Sequence, residues 1–188
     1  MRTTMRSTIV PLLGALSLML AGCGDPDEAG ETAQAAARAG DSTLGAMIGT
    51  IDELSIASEV IGNAELEDPF EGAGAYTIFL PRNEAFEELP EGELELLRSE
   101  EGRDGVIAIL TTHIAVGAIA REDLETALEV NGGSLELEGV AEQPILLRKV
   151  GGEILVGAGD DAPHLTNISK AASNGVVYVI DGFIPSQD

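Results

Sequence analysis

The feature that most constrains this chain is the point at which its apolar periodicity changes. Up to about residue 114, apart from the continuous apolar run at residues 76–80, large apolar residues recur at helical spacing; from Ala127 onward they fall into short alternating segments punctuated by glycine. Helical and extended periodicities put side chains on incompatible faces, so one stretch cannot satisfy both. Helices therefore come first and strands mainly later, which predicts an α+β fold rather than an alternating α/β one.

The individual segments can be placed. Ser42 is positioned to cap a helix carrying Leu44, Met47, Ile48 and Ile51, and Ser55 a second carrying Ile56, Val60 and Ile61. Gly72-Ala73-Gly74-Ala75 reads as a turn, and residues 76–80 as a buried strand that stops at Pro81. Asn83 is expected to cap a short helix through Ala85 and Phe86, followed by helix at residues 94–98. Residues 106–114 form the best amphipathic pattern, with Val106, Ile109, Leu110, His113 and Ile114 on one face. Leu135 and Leu137 alternate with glutamates. Ile145–Val150 and Glu153–Val156 flank Gly151-Gly152, a hairpin turn. Residues 176–180 make a last strand between Asn174-Gly175 and Asp181-Gly182. No internal repeat is present, so residues 42–188 read as one domain.

The N-terminus carries a different message. Arg2 and Arg6 precede an uncharged apolar run at residues 9–20, too short to span a bilayer of about 30 Å as a helix. Leu20-Ala21-Gly22-Cys23 follows and resembles the lipobox of bacterial lipoproteins, in which the cysteine thiol is diacylated and the chain is cut just before it. Residues 1–22 are thus expected to be a lipoprotein signal peptide and Cys23 the lipid attachment site. Two acyl chains suffice for stable anchoring. Cys23 is also the single cysteine, so no internal disulfide can form and stability must come from the core. Residues 23–41 are rich in Asp, Glu, Ala, Gly and Gln and carry no large apolar side chain, which predicts a flexible acidic tether with a root-mean-square span of about 25 Å. A short helix over residues 33–39 is compatible with its alanines. The expected location is extracytoplasmic, on a bacterial membrane.

Removal of the signal leaves 166 residues with eight basic against 33 acidic side chains, a net charge of −25. Such a surface repels phosphate backbones and anionic headgroups, so nucleic-acid binding and charge-driven membrane docking are disfavoured. The membrane partner is reached through the lipid alone.

Three segments together resemble a fasciclin (FAS1) domain. The first is Tyr76-Thr77-Ile78-Phe79-Leu80-Pro81-Arg82-Asn83-Glu84-Ala85-Phe86, a strand turning at proline into an asparagine-led helix. The second, Ile109-Leu110-Thr111-Thr112-His113-Ile114, is similar to the region bearing the family's Tyr-His pair. The third, Asn174-Gly175-Val176-Val177-Tyr178-Val179-Ile180-Asp181, is similar to its closing turn and strand. Thr112 stands where the tyrosine of the pair would be, Arg82 replaces a small polar residue, and Tyr178 stands where histidine is frequent. The resemblance implies a wedge of β-strands flanked by helices and a role in adhesion, matrix or cell-surface interaction, generally without catalysis. It singles out Asn83, His113 and Asn174 as motif positions, read as structural rather than binding residues.

Other chemistry is sparse. His113 lies on an apolar helix face, where a ring nitrogen can anchor a polar contact inside the domain. Asp160, Asp161 and His164 share one loop and are weak candidates for a cation, an exposed polar loop being the plainer reading. No Gly-x-Ser-x-Gly elbow and no His-Glu-x-x-His motif is present, and no cofactor is implied. The expected function is a non-catalytic, membrane-anchored interaction module for a protein or glycan partner. The alternative is a periplasmic receptor for a small molecule or divalent cation.

Overall fold

The computed structural model describes residues 42–66, 68–141 and 143–185. The expected signal peptide, lipid-attachment residue Cys23 and tether, residues 1–41, lie outside the described residues.

The chain starts with helix α1 (Leu44–Ile48), capped by Thr43, whose side chain accepts from the Ala46 N–H at 3.3 Å. The cap is therefore Thr43 and not Ser42, and Ile51 lies beyond the helix. Ser42 serves elsewhere: its carbonyl accepts from the backbone and side chain of Ser173. A 3-10 turn (Asp52–Leu54) leads into α2 (Ser55–Asn63), with Ser55 as its first residue and not its cap. Then come α3 (Asp68–Glu71), strand β1 (Tyr76–Pro81), α4 (Asn83–Glu87), α5 (Glu93–Leu97), a second 3-10 turn (Glu100–Gly102) and α6 (Arg103–Thr112). Strand β2 (Ile114–Val116), α7 (Arg121–Val130), β3 (Ser134–Leu137), β4 (Ile145–Val150), β5 (Glu153–Val156), β6 (Leu165–Ala172) and β7 (Gly175–Ile180) complete the order.

Two sheets form. One has the order β2-β1-β7-β6 and the other β3-β4-β5. The centre of the first is a parallel pair, β1 with β7, in register from Tyr76 opposite Gly175 to Pro81 opposite Ile180; its other pairings are antiparallel. The first and last strands of the domain thus lie side by side. Gly175 makes this approach possible, because a Cβ there would fall on the Tyr76 carbonyl oxygen.

Strand alternation divides the core in two. Ile78, Leu80, Val177 and Val179 face a layer of helices with Leu44, Leu54, Phe70, Phe86 and Val106. Phe79, Val176, Tyr178 and Ile180 face the second sheet and α7 with Leu124, Leu128, Leu147 and Val156. Covered on both faces, β1 and β7 read as continuous apolar runs and not as alternating ones.

The structure corrects the sequence reading at two further places. The amphipathic helix ends at Thr112, because Ile114 already pairs with Ile78 in β2 and His113 takes the cap position between them. The change to strands also comes later than Ala127, after the ten-residue helix α7, which buries only Leu124 and Leu128.

Candidate functional site

The motif residues are best read through what their side chains hold. Asn83 opens α4 but does not cap it; Arg82 occupies the cap with no side-chain bond. Instead the Asn83 amide reaches back to the first 3-10 turn. Its Oδ1 accepts from the Ile56 N–H at 3.0 Å, while Nδ2 donates to the Asp52 carbonyl at 2.9 Å and to Ser55 Oγ at 3.0 Å. Asn174 does the same at the opposite end of the central strands. Its Oδ1 accepts from the Leu44 N–H at 2.8 Å, and Nδ2 donates to the carbonyls of Phe70 at 2.7 Å and Gly72 at 2.9 Å. Each amide closes three bonds to segments 27 or more residues away in sequence.

His113 is 1% exposed, and both ring nitrogens have backbone partners. Nε2 accepts from the Ile184 N–H at 2.9 Å, which leaves the proton on Nδ1, and Nδ1 donates to the Ile109 carbonyl at 2.6 Å. Burial pushes its pKa down to about 4, the Ile109 bond acting in the opposite direction. The ring stands edge-on to Phe183, which packs edge-on against Phe86. A neutral imidazole with both nitrogens engaged can serve neither as a general base nor as a ligand without breaking one of these bonds.

Two buried polar groups were not read from the sequence as internal anchors, although Tyr178 was noted as a departure from the family pattern. Thr77 is fully buried; its Oγ1 donates to the Gly117 carbonyl at 2.7 Å and accepts from the Ile119 N–H at 3.0 Å. Tyr178 is stacked on Phe79, donates to the Ile119 carbonyl at 3.0 Å, and lies under the Arg121 guanidinium, 5.3 Å from the ring centre. Burial pushes the Tyr178 hydroxyl pKa up, while Arg121 pulls it down. These groups fix the β2–α7 connection against β1 and β7. The signal available in sequence was a threonine and a tyrosine inside otherwise aliphatic strands.

The loop candidates do not converge as a set. Asp160 lies 4.0 Å from the Arg148 guanidinium. His164 turns instead to Asp181, whose carboxylate accepts from the His164 N–H at 2.6 Å and approaches its Nδ1 at 3.1 Å. Glu153 stands 3.7 Å from its Nε2. Among the described residues no group of three or more His, Cys, Asp or Glu side chains is placed to hold a metal ion.

Concave space is scarce. The best-formed hollows among the described residues measure about 20 Å³ each: one lies beside Thr112, Pro144 and Ile184, the other beneath Val60, Phe86 and Val106. Small-molecule pockets are typically about 300–1,000 Å³. The outer surface is acidic, and its basic side chains are engaged locally: Arg82, Arg98, Arg103, Arg121, Arg148 and Lys149 with nearby carboxylates, and Lys170 with the Thr50 carbonyl. Val116, Val130 and Val150 stand exposed at strand and helix ends, and Val140 in the connection between β3 and β4. No helix among the described residues is long and apolar enough to cross a membrane.

Comparison with known proteins agrees with this architecture. Protein sll1483 of Synechocystis sp. (strain ATCC 27184 / PCC 6803 / Kazusa) is 32% identical over 121 residues, which are 64% of this chain and 61% of that protein. The chain therefore spans less than two-thirds of the curated relative it matches. A FAS1 domain pair from the insect cell adhesion molecule Fasciclin I superposes with a TM-score of 0.65 at 16% identity, covering 77% of this chain and 51% of the pair, a likeness of fold. The family model for the fasciclin domain matches residues 52–185. The chain belongs to the fasciclin family, whose domains are in general extracellular interaction modules.

Proposed function

We propose that the protein is a lipid-anchored, extracytoplasmic interaction module that grips a protein or glycan partner with its surface and performs no chemistry. The observation that carries this reading is the inward engagement of the three motif side chains. Asn83, His113 and Asn174 all hold backbone of their own domain, so the polar residues that mark the family contribute shape and not a reactive centre. The small hollows favour a broad contact over an enclosed ligand.

Charge narrows the partner. With the described basic side chains already paired or bonded, the charge left for a partner is carboxylate, so the complementary face is basic or is bridged by divalent cations. Attachment through Cys23 would keep the domain within a few tens of ångströms of the bilayer, set by a tether spanning about 25 Å.

Two experiments test this. Cys23→Ser should move the full-length protein from the membrane fraction to the soluble one; unchanged membrane recovery would remove the anchor. Crosslinking in intact envelopes should trap a partner whose yield falls as salt rises, and recovery of nothing above an unrelated acidic lipoprotein would remove the interaction module.

A further inference from the structure

We infer that residues 182–185 form an acid-released strap: His113 holds them against the domain while its ring is neutral and lets them go when the ring takes a proton. The inference goes beyond the proposed function and does not depend on it.

The strap is rooted at Asp181, directly after β7. The Asp181 N–H donates to the His164 carbonyl at 3.1 Å, and its carboxylate accepts from the His164 N–H at 2.6 Å, which fixes the chain up to that point. Beyond it, consecutive side chains enter the two cores. Phe183 packs on the helical side, its ring centre 4.9 Å from that of Phe86, and Ile184 is buried on the strand side. Ile184 and Pro185 also wall the small hollow beside Thr112. Among the described residues, the hydrogen bond that ties residues 182–185 to the domain runs from the Ile184 N–H to His113 Nε2, at 2.9 Å.

That bond exists only with a neutral ring. Nδ1 already carries a proton for the Ile109 carbonyl, so a second proton must enter at Nε2. It turns the acceptor into a donor aimed at another donor, the Ile184 N–H. The Ile109 bond survives and gains strength from the charge, so the break falls on the strap alone. The new charge also sits in a site that is 1% exposed, where it needs a counter-charge or water. Among the described residues, no charged side chain of the surrounding elements supplies one. Glu84 and Glu87 of α4 and Arg103 and Asp104 of α6 are exposed, Arg82 is turned to Glu84, Arg148 to Asp160 and Asp181 to His164. Water reaches Nε2 when Ile184, bonded to it, and Phe183, edge-on to the ring, swing away.

Linkage gives the direction. With the strap docked, burial keeps the ring neutral until pH is near about 4. With the strap released, the ring meets water and takes its proton at higher pH. The released form therefore binds more protons, and falling pH favours it. Departure of Ile184 and Pro185 opens the hollow onto Ile145 and Gly157 and uncovers Phe86. The acid form thus presents apolar surface that the neutral form keeps covered.

Hydrogen exchange of the full-length protein, followed amide by amide by NMR, tests the strap. The opening constant of the Ile184 amide should rise about tenfold from about pH 5.5 to about pH 4.5, and at both it should exceed that of Val177 in β7 by about tenfold or more. His113→Gln removes the titrating group, so the rise should vanish. Should that variant not fold, Phe183→Ala loosens the strap and leaves the ring in place. The Ile184 amide should then open more at both pH values, and His113 should take its proton at higher pH than in wild type, because linkage is reciprocal. An Ile184 opening constant that does not change with pH would overturn the strap. So would equal opening of Ile184 and Val177, which is unfolding of the whole domain, or a His113 titration unmoved by Phe183→Ala.

Discussion

On one face of the central sheet, helices of four to ten residues pack around Leu44, Leu54 and Phe86. On the other, three strands and one helix pack around Phe79, Leu147 and Tyr178. Helices of that length are marginal by themselves. The helical layer therefore depends on side chains that reach across it, Asn83 and Asn174 each making three bonds and His113 two. The strand layer carries its own backbone ladders and uses Thr77 and Tyr178 only to fasten one connection. The consequence for function is that polar groups on the helical side are committed to the fold. On the strand side, His164 and Glu153 remain at an accessible rim.

The largest effect should come from the strand layer, where packing dominates. Phe79 is fully buried and stacked on Tyr178, so Phe79→Ala should cost about 3–5 kcal/mol in chemical denaturation. A loss below about 1 kcal/mol would mean that the second sheet is not packed on the first.

Next is the acid response of the helical side. The neutral His113 ring is the native form, whereas the unfolded chain takes up its proton near pH 6.5. The unfolded state thus binds more protons between the two pKa values. The His113 contribution is fully present above about pH 6.5 and is lost as pH falls toward about 4, roughly 3 kcal/mol in all. Subtracting the pH profile of His113→Gln from that of wild type isolates it from the carboxylates; parallel profiles would refute it.

Asn174→Ala leaves the Leu44 N–H and the Phe70 and Gly72 carbonyls without their partner and should cost about 2 kcal/mol. Hydrogen exchange should show α1 opening first, with β3–β5 unchanged; uniform loss of protection would erase the distinction between layers. Smallest is Tyr178→Phe, which removes one bond to the Ile119 carbonyl and should cost about 1 kcal/mol by thermal melting.

Much of this was legible in the sequence. The Gly151-Gly152 hairpin and the closing strand stood out because turn chemistry and apolar runs are local. The switch at Ala127 misplaced α7 because its two buried leucines, four apart among acids, give a thin stripe. Strand β6 was missed because an edge strand needs no continuous apolar face: its residues are mostly half-buried or exposed. At the sites, sequence could point to Asn83, His113 and Asn174, but their partners lie 27 to 130 residues away along the chain, except for the Ile109 and Thr112 contacts. His164 was grouped with Asp160 and Asp161 by proximity in sequence, whereas pairing of β5, β6 and β7 brings it to Glu153 and Asp181.

The chain has two histidines, one in each regime, so a single experiment reaches the central claim. A ¹⁵N-detected imidazole spectrum of the full-length protein, followed with pH, should show His113 as a neutral Nδ1–H ring that stays unprotonated until pH is near about 4. A His113 that titrates in the ordinary histidine range, or carries its proton on Nε2, would contradict the account, because the ring could then not be holding the Ile109 carbonyl and the Ile184 N–H together.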